Sequence, residues 1–317
     1  MKVVRTIVIW VIVIVCIVFC VRLVNGLLNT YQHDEAFSNL TENDLSVTEI
    51  YSDAKVKNIM LFGVDAESGG ASRSDAMMIL SLDYDNGVIK LISLMRDSYL
   101  SIPGYGMDKL THAFAYGGPE LAVQTVNENF GLDITDYMAV NFSEMAAIID
   151  AVGGVTVDVS EAEMNEANKY IGEYGRTYGV EVRLIESPGT QLLDGVQAMT
   201  YGRIRKNGTG DDWGRVERQS IVLRAIFDRV QEASLREKYK ILQEMLPNVT
   251  TSLSKKDILV IFKDMLLSGI SMDMEHVRFP GDEELEGEKI GGVYYITFDI
   301  DAVSEELYRY IYAYEAP

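Results

Sequence analysis

Asn58-Ile-Met-Leu-Phe-Gly63-Val64 and Ala76-Met-Met-Ile-Leu-Ser-Leu-Asp83-Tyr84-Asp85-Asn86-Gly87-Val88-Ile-Lys-Leu-Ile-Ser-Leu-Met95 decide the fold. Three apolar runs of strand length stand here, and Asn-Gly between the second and third is a strong hairpin signal. A Gly/Ser-rich loop, Asp65 to Ser74, separates the first two. Helical patterns then interleave with further strand-like runs. Gly117-Gly118-Pro119-Glu120 reads as a break with Pro in the first turn of a helix that runs to about Phe130. Tyr137 to Val140 reads as a strand, Ser143 to Ala151 as a helix stopped at Gly153-Gly154, and Val155 to Val159 as another strand. Alternation together with one hairpin predicts an α/β fold, a mixed β-sheet sandwiched by α-helices.

Farther along, Asp194 is expected to cap a helix over Gly195 to Gly202, with Arg203 and Arg205 at its exit. A Gly/Asn/Asp loop follows, then an amphipathic helix from about Arg215 to Ala233. On that helix Arg215, Arg218 and Gln219 fall at i, i+3 and i+4 and share a face. Beyond it come an apolar helix, Lys256 to Leu267, and a hairpin and helix between Val277 and Tyr314; Asp282 to Lys289 reads as a solvated acidic loop.

At the other end, Thr6 to Val21 carry no formal charge and the apolar character resumes at Leu23-Val24 and Leu27-Leu28. Roughly 20 helical residues span a bilayer core, so a transmembrane signal anchor is expected from about Val3 to Leu28, with Arg22 reaching the outer headgroups. Lys2 and Arg5 lie at its N-terminal side, and the positive-inside rule then puts residues from about Asn29 outward. No small-x-small cleavage site follows. Cys16 and Cys20 both lie in the apolar run, so disulfides do not staple the outer domain, which suits a bacterial protein. The predicted organisation is residues 1–28 as cytoplasmic tail and anchor, 29–57 as a polar stalk, 58–233 as the main domain, and 234–317 as an α+β extension on the same domain.

The 317 residues carry a net charge of −20, which argues against nucleic-acid binding. Against that background Thr200 to Arg224 holds six Lys/Arg and three Asp/Glu, a local +3. Gathering guanidinium forks costs repulsion that a bound phosphate-like anion relieves. Asp65 and Asp75 flank the Gly/Ser loop; two carboxylates with ligand phosphates suit Mg²⁺, while a solvated loop is the plainer reading. Arg96-Asp97 ends the third strand, where a surface ion pair is equally ordinary. A Walker A loop is missing, as are a Gly-x-Ser-x-Gly elbow and a His/Cys zinc cluster, and His112 reads first as a structural histidine.

Taken together, the outward-facing anchor, Gly-Val-Asp65, Arg73-Ser-Asp75, Arg96-Asp97, Lys109-Leu-Thr-His112-Ala, Asp194-Gly-x-x-Ala-x-x-Tyr201-x-Arg203-x-Arg205 and Asp212-x-Gly-Arg215-x-x-Arg218-Gln219 resemble the LytR-CpsA-Psr family over about Asn58 to Ala233. The resemblance implies transfer of a teichoic acid or capsular polysaccharide from a polyprenyl-pyrophosphate-linked glycan to a peptidoglycan acceptor. It implies that Asp65 and Asp75 bind Mg²⁺, or Mn²⁺ in its place. Arg73, Arg96, Arg203, Arg205, Arg215 and Arg218 would act on the phosphates, with Gln219 and Lys109 binding substrate. It also implies a lipid channel between sheet and helices. Departures from the family pattern are Ala76 for Thr, Met95 for Pro and Thr111 for Asn. Two other readings stand at this level: a polyprenyl-pyrophosphate hydrolase, and a non-enzymatic polyprenyl-phosphate sensor or transcription attenuator.

Overall fold

The computed structural model describes residues 26, 30–47, 55–65, 72–206, 209, 211–267 and 274–312. The expected membrane span, apart from Gly26, lies outside these residues, as do both cysteines and residues 66–71 of the Gly/Ser loop. Among the described residues no helix is long and apolar enough to cross a membrane.

Gln32–His33 (β1) and one helical turn, Glu35–Ser38 (α1), come first. These residues belong to the segment expected as a stalk, yet they are fastened to the domain. β1 pairs with Thr250–Thr251, Asp34 accepts a 2.6 Å hydrogen bond from the Tyr137 hydroxyl, and Phe37 and Leu45 are buried. Composition reads as polar because only isolated side chains of this segment face inward.

The three opening runs form β2 (Val56–Val64), β3 (Ser74–Asp83) and β4 (Val88–Leu94), an antiparallel meander with the hairpin at Asn86-Gly87 as predicted. Next come a small hairpin, β5 (Tyr99–Ile102) and β6 (Gly106–Lys109), and the helix α2 (Leu110–Phe130). α2 starts at Leu110, before the predicted Gly-Gly-Pro break. That break is a kink inside the element: Gly117 and Gly118 leave helical geometry and Pro119 opens the second segment.

β7 (Asp136–Asn141) and α3 (Phe142–Ala151) follow. β8 (Val155–Val159) forms as predicted, but it pairs with β9 (Gly189–Leu193) in a separate two-stranded sheet. Between them runs α4 (Glu161–Tyr178), then α5 (Gly195–Tyr201), α6 (Asp211–Glu232) and α7 (Leu235–Met245). The chain finishes with β10 (Thr250–Thr251), α8 (Lys255–Leu267), β11 (Met274–Phe279), the hairpin β12 (Glu286–Ile290) and β13 (Val293–Thr297), and α9 (Ile300–Tyr312).

The central sheet has the order β1-β10-β7-β2-β3-β4-β11, with β7 parallel to β2 and β11 parallel to β4. It is the mixed sheet the sequence predicts. Side chains alternate across it, and both faces are apolar because both are covered. Met60, Phe62, Met77 and Ile79 pack under α2 and α9. Ile59, Met78, Leu80 and Leu82 face the other way, toward α6 and α8. Burying either set removes several hundred Å² of apolar surface from water at roughly 25 cal/mol per Å².

Candidate active site

On the α6 and α8 side the two layers do not close. A cavity of about 390 Å³ lies between the sheet and helices α3, α5, α6, α7 and α8. Its walls are Ile59, Leu61, Met78, Leu80, Met138, Val140, Met145, Met199, Leu223, Phe227, Ile241, Met245 and Ile261. Water gains few hydrogen bonds from so apolar a lining, so the space suits an apolar guest better than solvent.

Four of the polar wall residues gather at one end. Asp75 stands at the start of β3, Asn141 at the end of β7, Arg203 just past α5, and Gln219 on the third turn of α6. The antiparallel β2–β3 pair and the parallel β2–β7 pair bring Asp75 and Asn141 to the same end of the sheet. Gly195 allows α5 to approach α3: a Cβ there would lie 2.1 Å from the Ala146 carbonyl oxygen.

Around this end runs a chain of alternating charge. Asp75 is shared by Arg96 and by Arg205, whose Nη2 lies 3.1 Å from Oδ2. Asp97 meets Arg96 Nε at 3.6 Å and Lys109 Nζ at 2.7 Å. Burial of Asp75 opposes its ionisation, but the two guanidiniums more than offset it and hold the carboxyl below its usual range. The Arg203 guanidinium lies 3.6 Å over the Phe142 ring, which orients it at the cavity mouth. Asp65 and Arg73 are exposed, and the Asp65 amide donates to the Arg73 carbonyl at 3.0 Å, closing the loop between β2 and β3.

Arg218 does something different from the predicted phosphate grip. It is 3% exposed, and its guanidinium donates to the carbonyls of Ile204 and Thr209 at 2.5 and 2.7 Å and reaches Glu163 at 3.3 Å. It fixes the segment carrying Arg205 to α6 and α4. Gly214 serves the same closure, since a Cβ there would sit 2.1 Å from the Thr209 carbonyl oxygen. Arg215 is likewise buried on the first turns of α6. Lys109 is engaged by Asp97, one residue away from Arg96 in the charge chain. Thr111 donates from Oγ1 to the Ser74 carbonyl at 2.8 Å, so this departure from the family pattern ties α2 to the start of β3.

Among the described residues no group of three or more His, Cys, Asp or Glu side chains is arranged to hold a metal ion. An oxygen donor set of one or two carboxylates completed by substrate phosphates still fits Mg²⁺. Asp75 meets that chemistry, being a partly exposed carboxylate kept ionised by its arginines. Reading residues alone missed Glu163, Asn141 and Phe142. The capping boxes Ser160–Glu163 and Asn141–Glu144 were legible signals for the first two. Phe142 offered none.

An apolar cavity ending in arginines and carboxylates has the chemistry to receive an amphiphile with a hydrocarbon body and an anionic head. The chain belongs to the LytR_cpsA_psr family, which it matches over residues 24–310. It is 32% identical over 271 residues to the polyisoprenyl-teichoic acid–peptidoglycan teichoic acid transferase TagU of Oceanobacillus iheyensis, covering 82% of this chain and 78% of that protein. Among solved structures it is similar to TagT bound to LI-WTA, with a TM-score of 0.67, 29% identity, and 86% and 96% of the two chains covered. It is also similar to YwtF (TagT) with bound octaprenyl pyrophosphate lipid, with a TM-score of 0.64, 26% identity, and 87% and 99% covered.

Proposed function

We propose that this chain is a membrane-anchored, extracytoplasmic phosphotransferase. It moves a glycopolymer of the teichoic acid or capsular polysaccharide class from polyprenyl pyrophosphate to a peptidoglycan acceptor. The observation that carries this reading is the apolar cavity terminating at Asp75, Arg96, Arg203 and Arg205. The names of the relatives, and the octaprenyl pyrophosphate in one similar structure, support it.

The prenyl chain lies in the cavity and the pyrophosphate meets the arginines at its mouth. An acceptor hydroxyl oxygen bonds to the phosphorus bearing the glycan. The bridging P–O bond breaks, its electron pair stays on the departing polyprenyl phosphate, and the hydroxyl proton passes to bulk water. Arg96 and Arg205 exchange Asp75 contacts for phosphate oxygens as charge builds on the leaving group; one arginine so placed contributes roughly 10³-fold or more. A bound Mg²⁺ would neutralise pyrophosphate charge, with Asp75, and Asp65 from across the loop, as its protein ligands.

The test uses the full chain in lipid nanodiscs with a short polyprenyl-pyrophosphate glycan, Mg²⁺ and peptidoglycan fragments, read by mass spectrometry. A phosphodiester-linked conjugate is expected. Free glycan phosphate without conjugate would replace this reading with a hydrolase, and lipid bound but unaltered would replace it with a sensor. Asp75→Ala is expected to abolish turnover while part of the lipid binding persists; normal turnover in that variant overturns the metal assignment.

A further inference from the structure

Helix α2 covers the sheet face opposite the cavity, packing Phe114 on Phe62 with ring centroids 4.9 Å apart. At its first turns stands an aromatic cluster that donor binding does not use. The Tyr116 hydroxyl donates to Asp108 Oδ2 at 2.7 Å, and His112 Nδ1 lies 2.9 Å from the same oxygen. The Tyr295 hydroxyl reaches the other Asp108 oxygen at 3.4 Å. Tyr105 stacks on Tyr116 with centroids 4.6 Å apart and planes 14° from parallel, yet the two residues are 58% and 43% exposed.

A stacked pair of tyrosines left in water, with one ring clamped by a carboxylate, is a rigid flat surface with polar groups at its edge. Such a surface suits a sugar: the C–H face of a pyranose packs on the ring, while hydroxyl and acetamido groups find the carboxylate and phenols. A bare phosphate is disfavoured there by Asp108.

The cluster is continuous with the charge chain. Lys109, which pairs with Asp97, lies 5.6 Å over the Tyr295 ring. The Thr111 amide donates to the Arg96 carbonyl at 3.0 Å, and its hydroxyl to that of Ser74. The Tyr116 phenol is held protonated chiefly by its hydrogen bond to Asp108, with the nearby charge of Arg73 acting in the opposite direction. Phosphoryl transfer runs with attacking and leaving oxygens roughly in line. A lipid leaving into the cavity on one sheet face calls for a nucleophile arriving from the other side, where this cluster stands.

We propose that Tyr105, Tyr116, Asp108, His112 and Tyr295 form the subsite that positions the saccharide acceptor. This rests on the transferase reading above. The test titrates the β-1,4-linked N-acetylglucosamine tetramer against full-length protein in nanodiscs, by calorimetry and by chemical shift of ring-labelled tyrosine. Tyr105→Ala/Tyr116→Ala is expected to weaken tetramer binding about tenfold or more, while Tyr116→Phe, which keeps the ring, restores most of it. In the transfer assay the double variant is expected to raise the acceptor KM more than it lowers kcat.

Octaprenyl pyrophosphate binding, measured in parallel, separates the two ideas. Wild-type protein that takes the lipid but not the tetramer, or a double variant that binds the tetramer as wild type does, overturns the subsite and leaves the transferase standing. Failure to take the lipid counts against the transferase instead, whatever the tetramer does.

Discussion

Replacing Arg218 with Met keeps the length of the side chain and removes its charge and donors. The structure gives Arg218 two buried carbonyl partners, Ile204 at 2.5 Å and Thr209 at 2.7 Å, and a carboxylate partner in Glu163. A hydrogen bond to a charged group contributes about 1.5–3 kcal/mol, and stripping one side of a buried polar network leaves the other side desolvated, so the expected loss is about 3–5 kcal/mol. For a chain of this size that corresponds to a fall in Tm of roughly 5–8 °C. Differential scanning calorimetry of the full chain in nanodiscs reads it, and hydrogen exchange at the amides of Arg203 to Lys206 is expected to quicken. Arg205→Met, at a residue 32% exposed, is expected to leave Tm within about 2 °C while losing turnover. Should Arg218→Met melt with wild type and lose turnover as Arg205→Met does, the clamp is wrong and Arg218 grips phosphate directly.

Three further outcomes follow from the same geometry. Met78→Trp places extra apolar volume into the cavity; it is expected to lose octaprenyl pyrophosphate binding without lowering Tm, and a sharp Tm drop would show that the cavity lacks the room described. Gly214→Ala is expected to cost about 1–3 kcal/mol, because its methyl meets the Thr209 carbonyl, and unfolding in urea measures it. Burial holds His276 below its ordinary value of 6.5, outweighing the opposing pull of Glu217. Its contribution is therefore complete above pH 6.5 and is lost as pH falls through the lower folded value. Melting curves of wild type and His276→Gln between pH 7.5 and 5 test this, and the difference between them cancels Glu306, whose carboxyl is pushed up to about 7 by its hydrogen bond with Glu284 and acts in the same range with opposite sign.

Local chemistry made much of the fold legible. The meander announces itself because Asn86-Gly87 specifies a tight turn between two runs long enough to pair. The cap Asp194 and the helix behind it were equally readable, since a cap is an interaction three residues long. α4 and α7 were missed although Ser160–Glu163 and Ser234–Glu237 spell capping boxes; both helices are polar on average, so their apolar residues mark one face without forming an apolar run. Residues 30–47 misled in the opposite direction, because a two-residue strand, the Asp34–Tyr137 hydrogen bond and the buried Phe37 and Leu45 attach an otherwise polar segment.

The arginines and aspartates of the site stood out in an acidic chain, and their number and spacing pointed to an anion before any coordinates. What each does is a matter of distance. Arg205 and Arg218 are similar residues in neighbouring motifs, yet one faces Asp75 at the cavity mouth and the other is turned onto backbone carbonyls. The cavity shows the same division. Its walls come from β2, β3, β7 and five helices spread over some two hundred residues, and a void belongs to no residue. Sequence by itself determined the opening strands, the hairpin, the gathering of arginines in an acidic chain and the family. The cavity, the alternating charge chain, the clamp at Arg218 and the exposed tyrosines beside the site were decided by tertiary structure, because each depends on how far apart the layers stand and which way a side chain turns.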